Sequence, residues 1–362
     1  MNATPPSFTL ELSRHIRAPR EKVFDAFVDP EAMRVWKCPR GMSVCAVSSD
    51  AQVGGKYQVA MRARDGSQFV VGGEYREVRR PERLAFTWAW LGDNMPTMQT
   101  LVEVSFIERD GGTLIDMTHS GFPQPTMRDQ HGHGWRSCFN RLNDMLDARG
   151  TAATVVLLGA APSNHTWSVH MGLVEKGVAY TLQDCRPRSA EALAVHPFGR
   201  IPALRDGDIE VFESSAILRY IDESFEGPGG LTFQPNHIMG RVRCDQWVSA
   251  INSYLSDTMM RRYAMQYVFP KGAGGQPDRG VIEGALADMP AQLAALDKVY
   301  AHSDYLAGPS LSIADLMLAP ILHYVGAMPE GAQLLAAAPN VRRAQALMSA
   351  RPSFIATVPP RH

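Results

Sequence analysis

The residues best suited to chemistry lie in one run just past the middle of the chain. It reads His196-Pro197-Phe198-Gly199-Arg200-Ile201-Pro202-Ala203-Leu204, then Asp206-Gly207, then Phe212-Glu213-Ser214-Ser215-Ala216-Ile217-Leu218-Arg219-Tyr220-Ile221. Locally this predicts a loop entering a short strand, a tight Asp-Gly hairpin, a second strand, and a helix with Ser214 near its N-cap. Proline has no N–H to give a strand ladder, so Pro202 at a strand mouth leaves the backbone of Ile201 free for another partner. A cis Ile201–Pro202 bond would present that backbone outward, and cis costs an X–Pro pair only about 0.5–1 kcal/mol. An extended, peptide-like ligand could then pair there as an added strand does. Glu213 and Ser214 stand where strand meets helix. The helix N-terminus offers donors and partial positive charge to a carboxylate, and Glu213 can hold an ammonium. Together they suit the amino-acid head of a small peptide.

The elements that must position this run follow from the whole chain. At 362 residues, and about 150 residues per domain, two or three domains are expected. Hydrophobic residues make up 45% and charged residues 20%, the composition of a globular chain with real cores. A formal net charge of -1 gives no reason to expect a polyanionic partner, and there is no aromatic-basic stripe for nucleic acid. Met1 to Ser7 lacks a basic then apolar leader, and no apolar stretch nears the roughly 20 residues of a membrane helix. Cys38, Cys45, Cys138, Cys185 and Cys244 are scattered with no CxxC pair, so the expectation is a reduced cytoplasmic protein without a zinc or disulfide scaffold.

Period-two alternation dominates from Phe8 to about Trp90 and from Met98 to Met117, which predicts antiparallel strands. Turns fall at Val53-Gly54-Gly55, Asp65-Gly66 and Asp110-Gly111-Gly112. Two helices interrupt them. One runs from Arg20 to Val28 and stops before Pro30; the other runs from about His133 to Ala148. Arg149 to Ala153 is the expected seam. After it, strands at 154–159, 179–184, 201–204 and 210–212 alternate with helices at 163–176, 189–195 and 214–225, a mixed sheet with crossovers. Beyond Asn236 only helical patterns remain. The expected domains are 1–150, 151–232 and 233–362.

The run around Pro202 resembles the glutathione S-transferase family. The family pattern is asparagine-proline-x-glycine-x-(isoleucine or valine)-proline followed by glutamate-serine, and this chain keeps all but the asparagine, which is His196. The resemblance covers roughly Thr154 to Pro352. It implies a thioredoxin-like α/β subdomain followed by an all-α subdomain, glutathione as co-substrate, no metal, and a homodimer. It also implies that Pro202 is cis, that Ile201 pairs with the peptide backbone, and that Glu213 and Ser214 hold the γ-glutamyl end. Arg200 belongs to the same loop. Arg188 falls where some members place a cation for the glycine carboxylate.

The family sets its thiol-activating residue just after the first strand. In Gly159-Ala160-Ala161-Pro162-Ser163-Asn164-His165-Thr166 there is no tyrosine or cysteine, so the resemblance points to Ser163. Its hydroxyl would donate to the glutathione sulfur, and the helix N-terminus would help to lower a thiol pKa from about 8.5. Serine is equally a common N-cap, so Ser163 has two readings. Serine-using members often carry an arginine five residues on; here that residue is Ser168. A small hydrophobic electrophile is expected beside this loop, with Asn164, His165, Met259 and Tyr263 as candidates and Tyr267 one turn on. Core packing or a dimer contact is the other reading of Met259, Tyr263 and Tyr267. Ser312-Ile313-Ala314-Asp315 reads as a capping box, a structural element.

The first half resembles START-like (SRPBCC) helix-grip proteins, in the branch named for a co-chaperone that activates a heat-shock ATPase. The carriers are Arg17-Ala18-Pro19 to Phe27, Asp29-Pro30-Glu31, Val35-Trp36, Val53-Gly54-Gly55-Lys56-Tyr57, Gly73-Glu74-Tyr75, Pro81 to Trp88, and Gly134-Trp135. The resemblance implies an α+β domain in which a curved antiparallel sheet grips a long C-terminal helix. Inward Trp36, Phe86, Trp88 and Trp90 would line an apolar pocket for a small ligand or fill a plain core. His131-Gly132-His133, with His119, reads as a solvated loop rather than a metal site. Three functions follow: a glutathione transferase with an apolar-ligand domain, a non-catalytic binding protein, or a co-chaperone.

Overall fold

The computed structural model describes residues 7–92, 98–146 and 155–360. It divides into two compact units, Met1–Val155 with Asp206–Ile209 and Val156–Arg205 with Glu210–His362. The seam expected at Arg149 to Ala153 lies outside the described residues.

In the first unit, β1 (Phe8–Ile16), β2 (Met42–Ser49), β3 (Lys56–Ala63), β4 (Gln68–Arg79), β5 (Arg83–Leu91), β6 (Thr100–Arg109) and β7 (Gly112–Phe122) form one sheet in the order β1-β7-β6-β5-β4-β3-β2. The pairs β1–β7, β2–β3, β3–β4, β4–β5, β5–β6 and β6–β7 are all antiparallel. Alternation sets its faces: Tyr57, Val59 and Met61 are buried while Lys56 and Gln58 are exposed. Between β6 and β7 the chain turns on Asp110 and Gly111, both at positive φ (50° and 71°), as a tight hairpin requires.

α1 (Arg20–Val28) ends before Pro30 as expected, but Pro30 then opens a further helix, α2 (Pro30–Trp36). Asp29 caps it by accepting from the Glu31 N–H at 3.2 Å, and proline is tolerated where the first-turn N–H has no helical partner. α3 (Pro125–Leu146) also starts well before the predicted His133. His131 and His133 are therefore helical rather than in a loop, and each Nδ1 bonds the carbonyl one turn back, Met127 at 2.7 Å and Asp129 at 2.8 Å. Among the described residues no cluster of three or more histidine, cysteine or acidic side chains could hold a metal.

α3 lies on the sheet through Trp135, Cys138, Phe139 and Leu142, and α1 and α2 close the core. Phe27 is its hub, with ring centroids 4.7 Å from Trp36 and 5.1 Å from Phe106. Fully burying such a side chain contributes about 1.5–3 kcal/mol. Trp36 and Phe86 are completely buried, and the Trp36 indole N–H donates to the Ala26 carbonyl at 2.8 Å. Trp90 is half-buried, 4.9 Å from Trp88.

The second unit begins with β8 (Val155–Leu158), α4 (Asn164–Glu175), β9 (Tyr180–Gln183), α5 (Ala190–Val195), β10 (Ala203–Asp206), β11 (Ile209–Phe212) and α6 (Ser214–Ser224). Its sheet order is β11-β10-β8-β9. β10 starts after Pro202 rather than at Ile201. Helices then take over: α7 (Ile238–Ala250), a π-helical stretch (Ile251–Ala264), α8 (Met265–Val268), α9 (Arg279–Tyr300), α10 (Ile313–Gly326), α11 (Pro329–Ala336), α12 (Pro339–Ser349) and α13 (Pro352–Thr357).

α10 is buried along most of its length, from Ile313 to Leu322. Its capping box is present: the buried Asp315 carboxylate accepts from the Ser312 N–H at 2.9 Å and from the Leu306 N–H at 2.8 Å. α4 is pinned by Trp167, which stacks 4.9 Å from Phe354 and donates to Thr357 Oγ1 at 2.9 Å. Lys176, at the end of α4, is buried with Asp222 of α6. Its Nζ lies 2.6 Å from Asp222 Oδ1 and also donates to the Leu231 carbonyl.

Candidate active site

The site is built from the loop before β10 upward. The Ile201–Pro202 bond is cis, Pro202 is buried, and Ile201 is half-buried just outside the ladder. The loop is held by Gly199, at φ 58°, whose carbonyl accepts from the Arg188 N–H at 2.7 Å. Arg188 itself has φ 65° and an exposed side chain, so it sits one hydrogen bond from the proline loop. Arg200 is exposed on the same loop. His196 follows α5, and its Nδ1 accepts from the Phe198 N–H at 3.2 Å, a loop-closing role open to any side chain with a well-placed acceptor. Its other ring nitrogen is 3.7 Å from Glu213 Oε1. The histidine that departs from the family pattern thus closes the proline loop and stands beside the glutamate.

Glu213 joins β11 to α6 at φ 68° and ψ 118°, and its carbonyl accepts the Ile217 N–H at 2.9 Å. A side-chain-bearing residue at such an angle costs about 1–3 kcal/mol, and strain of this kind gathers at ligand sites. The side chain is 59% exposed, open to a cation. Ser214 opens α6 and is buried, with Oγ 3.4 Å from His165 Nδ1. That contact brings the N-terminus of α6 to the first turn of α4, so two sets of free backbone N–H groups converge.

Ser163 is the N-cap of α4, and its Oγ accepts from the Thr166 N–H at 3.4 Å. The bond is long, and it leaves the hydroxyl hydrogen free to donate elsewhere. Asn164 is the first residue of the helix. Ser168, where the family's arginine would stand, is buried, and its Oγ donates to the Asn164 carbonyl at 2.9 Å. It supports the turn and supplies no charge. Burial holds the His165 pKa below its ordinary value; Glu213 pulls the other way, while Arg200 and Arg261 add to the depression. His165 is therefore neutral at pH 7.

The sequence reading did not foresee two contributors. Tyr324 of α10 donates to the Pro162 carbonyl at 2.7 Å and fixes the loop carrying Ser163. Arg261, on the π-helical stretch, acts on His165 from the helical part. Nothing in local spacing marks either, because each reaches the site from far along the chain.

Two of the electrophile candidates lie in the interior of the second unit. Met259 and Tyr263 are both 0% exposed. The Tyr263 hydroxyl accepts from the Gly331 N–H at 2.6 Å and lies 3.2 Å from Glu330, which also takes Tyr267 and Arg279. Their helical spacing marks a core face.

The arrangement offers a helix N-terminus suited to a carboxylate, an exposed carboxylate suited to an ammonium, the backbone of Ile201 just ahead of the β10 ladder, and a hydroxyl at a second helix N-terminus. Comparison with known proteins finds matches in both halves of the chain. The model "Activator of Hsp90 ATPase homolog 1-like protein" matches residues 17–147, "Glutathione S-transferase, N-terminal domain" matches 157–229, and "Glutathione S-transferase, C-terminal domain" matches 279–343. Glutathione S-transferase F10 of Arabidopsis thaliana is 32% identical over 162 residues, covering 42% of this chain and 73% of the relative. The structure of glutathione S-transferase III in apo form shares 30% identity at a TM-score of 0.51, covering 57% of this chain and 99% of that one. That of glutathione S-transferase-I bound with lactoylglutathione shares 26% identity at a TM-score of 0.51, covering 56% and 98%.

Proposed function

The chain belongs to the glutathione S-transferase family, and from that premise we propose that its second unit binds glutathione and presents its sulfur as thiolate to a small hydrophobic electrophile. The γ-glutamyl ammonium sits on Glu213 and its carboxylate on the N-terminus of α6 at Ser214. The cysteinyl backbone pairs with Ile201 beside Pro202, and the glycine carboxylate faces Arg188 and Arg200. The sulfur lies at the N-terminus of α4, where Ser163 donates to it. The thiol loses its proton to solvent, and the thiolate displaces a leaving group such as halide from the electrophile. One unit of thiol pKa depression corresponds to about 1.4 kcal/mol. The convergence of the α4 and α6 N-termini, through His165 and Ser214, carries this reading. Because His165 bonds Ser214, it belongs with the glutathione head, and Asn164 remains at the electrophile's side. The first unit we read as the carrier of an apolar small molecule. No helix among the described residues is long and apolar enough to cross a membrane, and we place the protein in the cytoplasm as a homodimer formed through the second unit.

The test is retention on immobilised glutathione together with turnover of a generic aryl halide. Retention without turnover, unchanged by Ser163→Ala, leaves a binding protein. Stimulation of a heat-shock ATPase by the full chain with no aryl halide turnover would favour the co-chaperone reading.

The strained Glu213 supplies a second check. Glycine accepts φ 68° freely, so Glu213→Gly relieves about 1–3 kcal/mol of strain against roughly 0.5–1 kcal/mol of added chain entropy. The expected result is a Tm raised by about 2–4 °C with loss of retention on glutathione. A lowered Tm with retention intact would remove Glu213 from the site.

A further inference from the structure

Lys37 follows α2 and turns into the interior of the first unit, where 7% of its surface stays accessible. Its Nζ lies 4.8 Å from the ring centroid of Phe86, 5.4 Å from Trp36 and Tyr57, 5.5 Å from Phe27 and 5.8 Å from Trp135. These rings come from α1, α2, β3, β5 and α3, so sheet and helices together enclose the amine. Ring faces attract an ammonium but accept no full hydrogen bond from it. The polar atoms of the cage are engaged elsewhere. Tyr57 donates to the Thr87 carbonyl at 3.0 Å, Trp36 to Ala26, and Trp135 to His119 Nδ1 at 3.1 Å.

No carboxylate among the described residues pairs with Lys37. Lys176 in the second unit shows the contrast: equally deep and also over a ring, it has Asp222 and the Leu231 carbonyl. A buried ammonium without a counter-ion is costly, and an apolar residue of similar length would fill the same space without that penalty. The cage has a cation's place, apolar walls and no anion.

We propose that the first unit binds a small apolar carboxylate, its acid group on Lys37 Nζ and its body against the rings of Tyr57, Phe86 and Trp135. The proposal rests on the reading of this unit as an apolar-ligand carrier and adds the charge that selects the ligand. A single lysine, with no arginine in the cage, suits a monoanion; a phosphate would need further donors. Burial holds the Lys37 pKa down to about 8, which leaves it mainly cationic at pH 7. The titratable groups facing it stay neutral there: burial pushes Cys138 up to about 12 and raises Tyr57, Tyr75 and Cys38, the last with Arg141 beside it.

The experiment uses the full chain with the second unit blocked by S-hexylglutathione, titrated at pH 7 with 1-naphthoate and with its neutral analogue 1-naphthalenemethanol. The expected result is at least tenfold tighter binding of naphthoate. Lys37→Met should abolish that preference, leave the alcohol's affinity within twofold, and leave aryl halide turnover unchanged. In the unmutated protein, naphthoate should block reductive methylation of Lys37, read by mass spectrometry, and the alcohol should not; this arm needs no variant to fold. Equal affinity for the two probes, or a preference that survives Lys37→Met, overturns the anion site while keeping the apolar pocket. Binding of neither probe overturns both.

Discussion

Ser163→Ala should lower kcat/KM for an aryl halide by about 10²–10³-fold, the usual loss when one donor to a developing anion is removed. Two functions meet at this hydroxyl. Its oxygen accepts weakly from Thr166 N–H, and its hydrogen is free for a sulfur. The same change removes an N-cap, which alone costs about 0.5–2 kcal/mol of stability. The two roles separate in the pH profile. A donor to the thiolate lowers the thiol pKa, so its loss moves the rising limb of kcat/KM to higher pH. A cap shifts Tm and leaves the limb in place. The nearby imidazole does not blur this reading, because His165 is held neutral by burial. A lowered Tm with an unmoved profile would leave Ser163 as a cap only.

Lys176→Met is expected to destabilise the second unit by about 3–5 kcal/mol, the range for breaking a buried ion pair from one side. Methionine fills the methylene volume but leaves Asp222 charged at its side of the pair. The Phe233 N–H at 2.8 Å, the Gln234 N–H at 3.1 Å and the Thr232 hydroxyl at 3.0 Å still reach that carboxylate, and they hold the loss to this range. At about 2–4 °C per kcal/mol, Tm should fall by roughly 10 °C. Loss of aryl halide turnover on heating reports on this unit. Adding Asp222→Asn should recover part of the loss, because the uncompensated charge is then gone. A drop below about 1 kcal/mol for the single variant would mean that water replaces the lysine.

The architecture was legible because its signals are local. Alternation in β3 names the buried Tyr57, Val59 and Met61, and Asp110-Gly111 has the residues a tight hairpin needs. Proline is where local reading divides. Pro30 reads as a stop to α1, yet it is also a good first helical residue, and the Asp29 cap decides between them. The first turns of α3 carry too many polar residues to show a period. Periodicity also fails to separate a core face from a ligand face, and the spacing of Met259 and Tyr263 fits either. The π-helical stretch has no signature of its own. The candidate site was half visible. Ile201, Pro202, Glu213 and Ser214 lie within one run, whereas Tyr324, Arg261 and the link from His165 to Ser214 exist only after folding. The cage of Lys37 was invisible for the same reason, since its walls come from separate elements.

The backbone angle at Glu213 turns one codon into a recorder of selection. In a library randomised there and sorted for heat resistance alone, glycine should rise and glutamate should be lost early. Sorted for survival of an electrophilic toxin, the same library should return glutamate despite its angle. The ratio of the two counts would weigh ligand against fold at a single position, without purified protein.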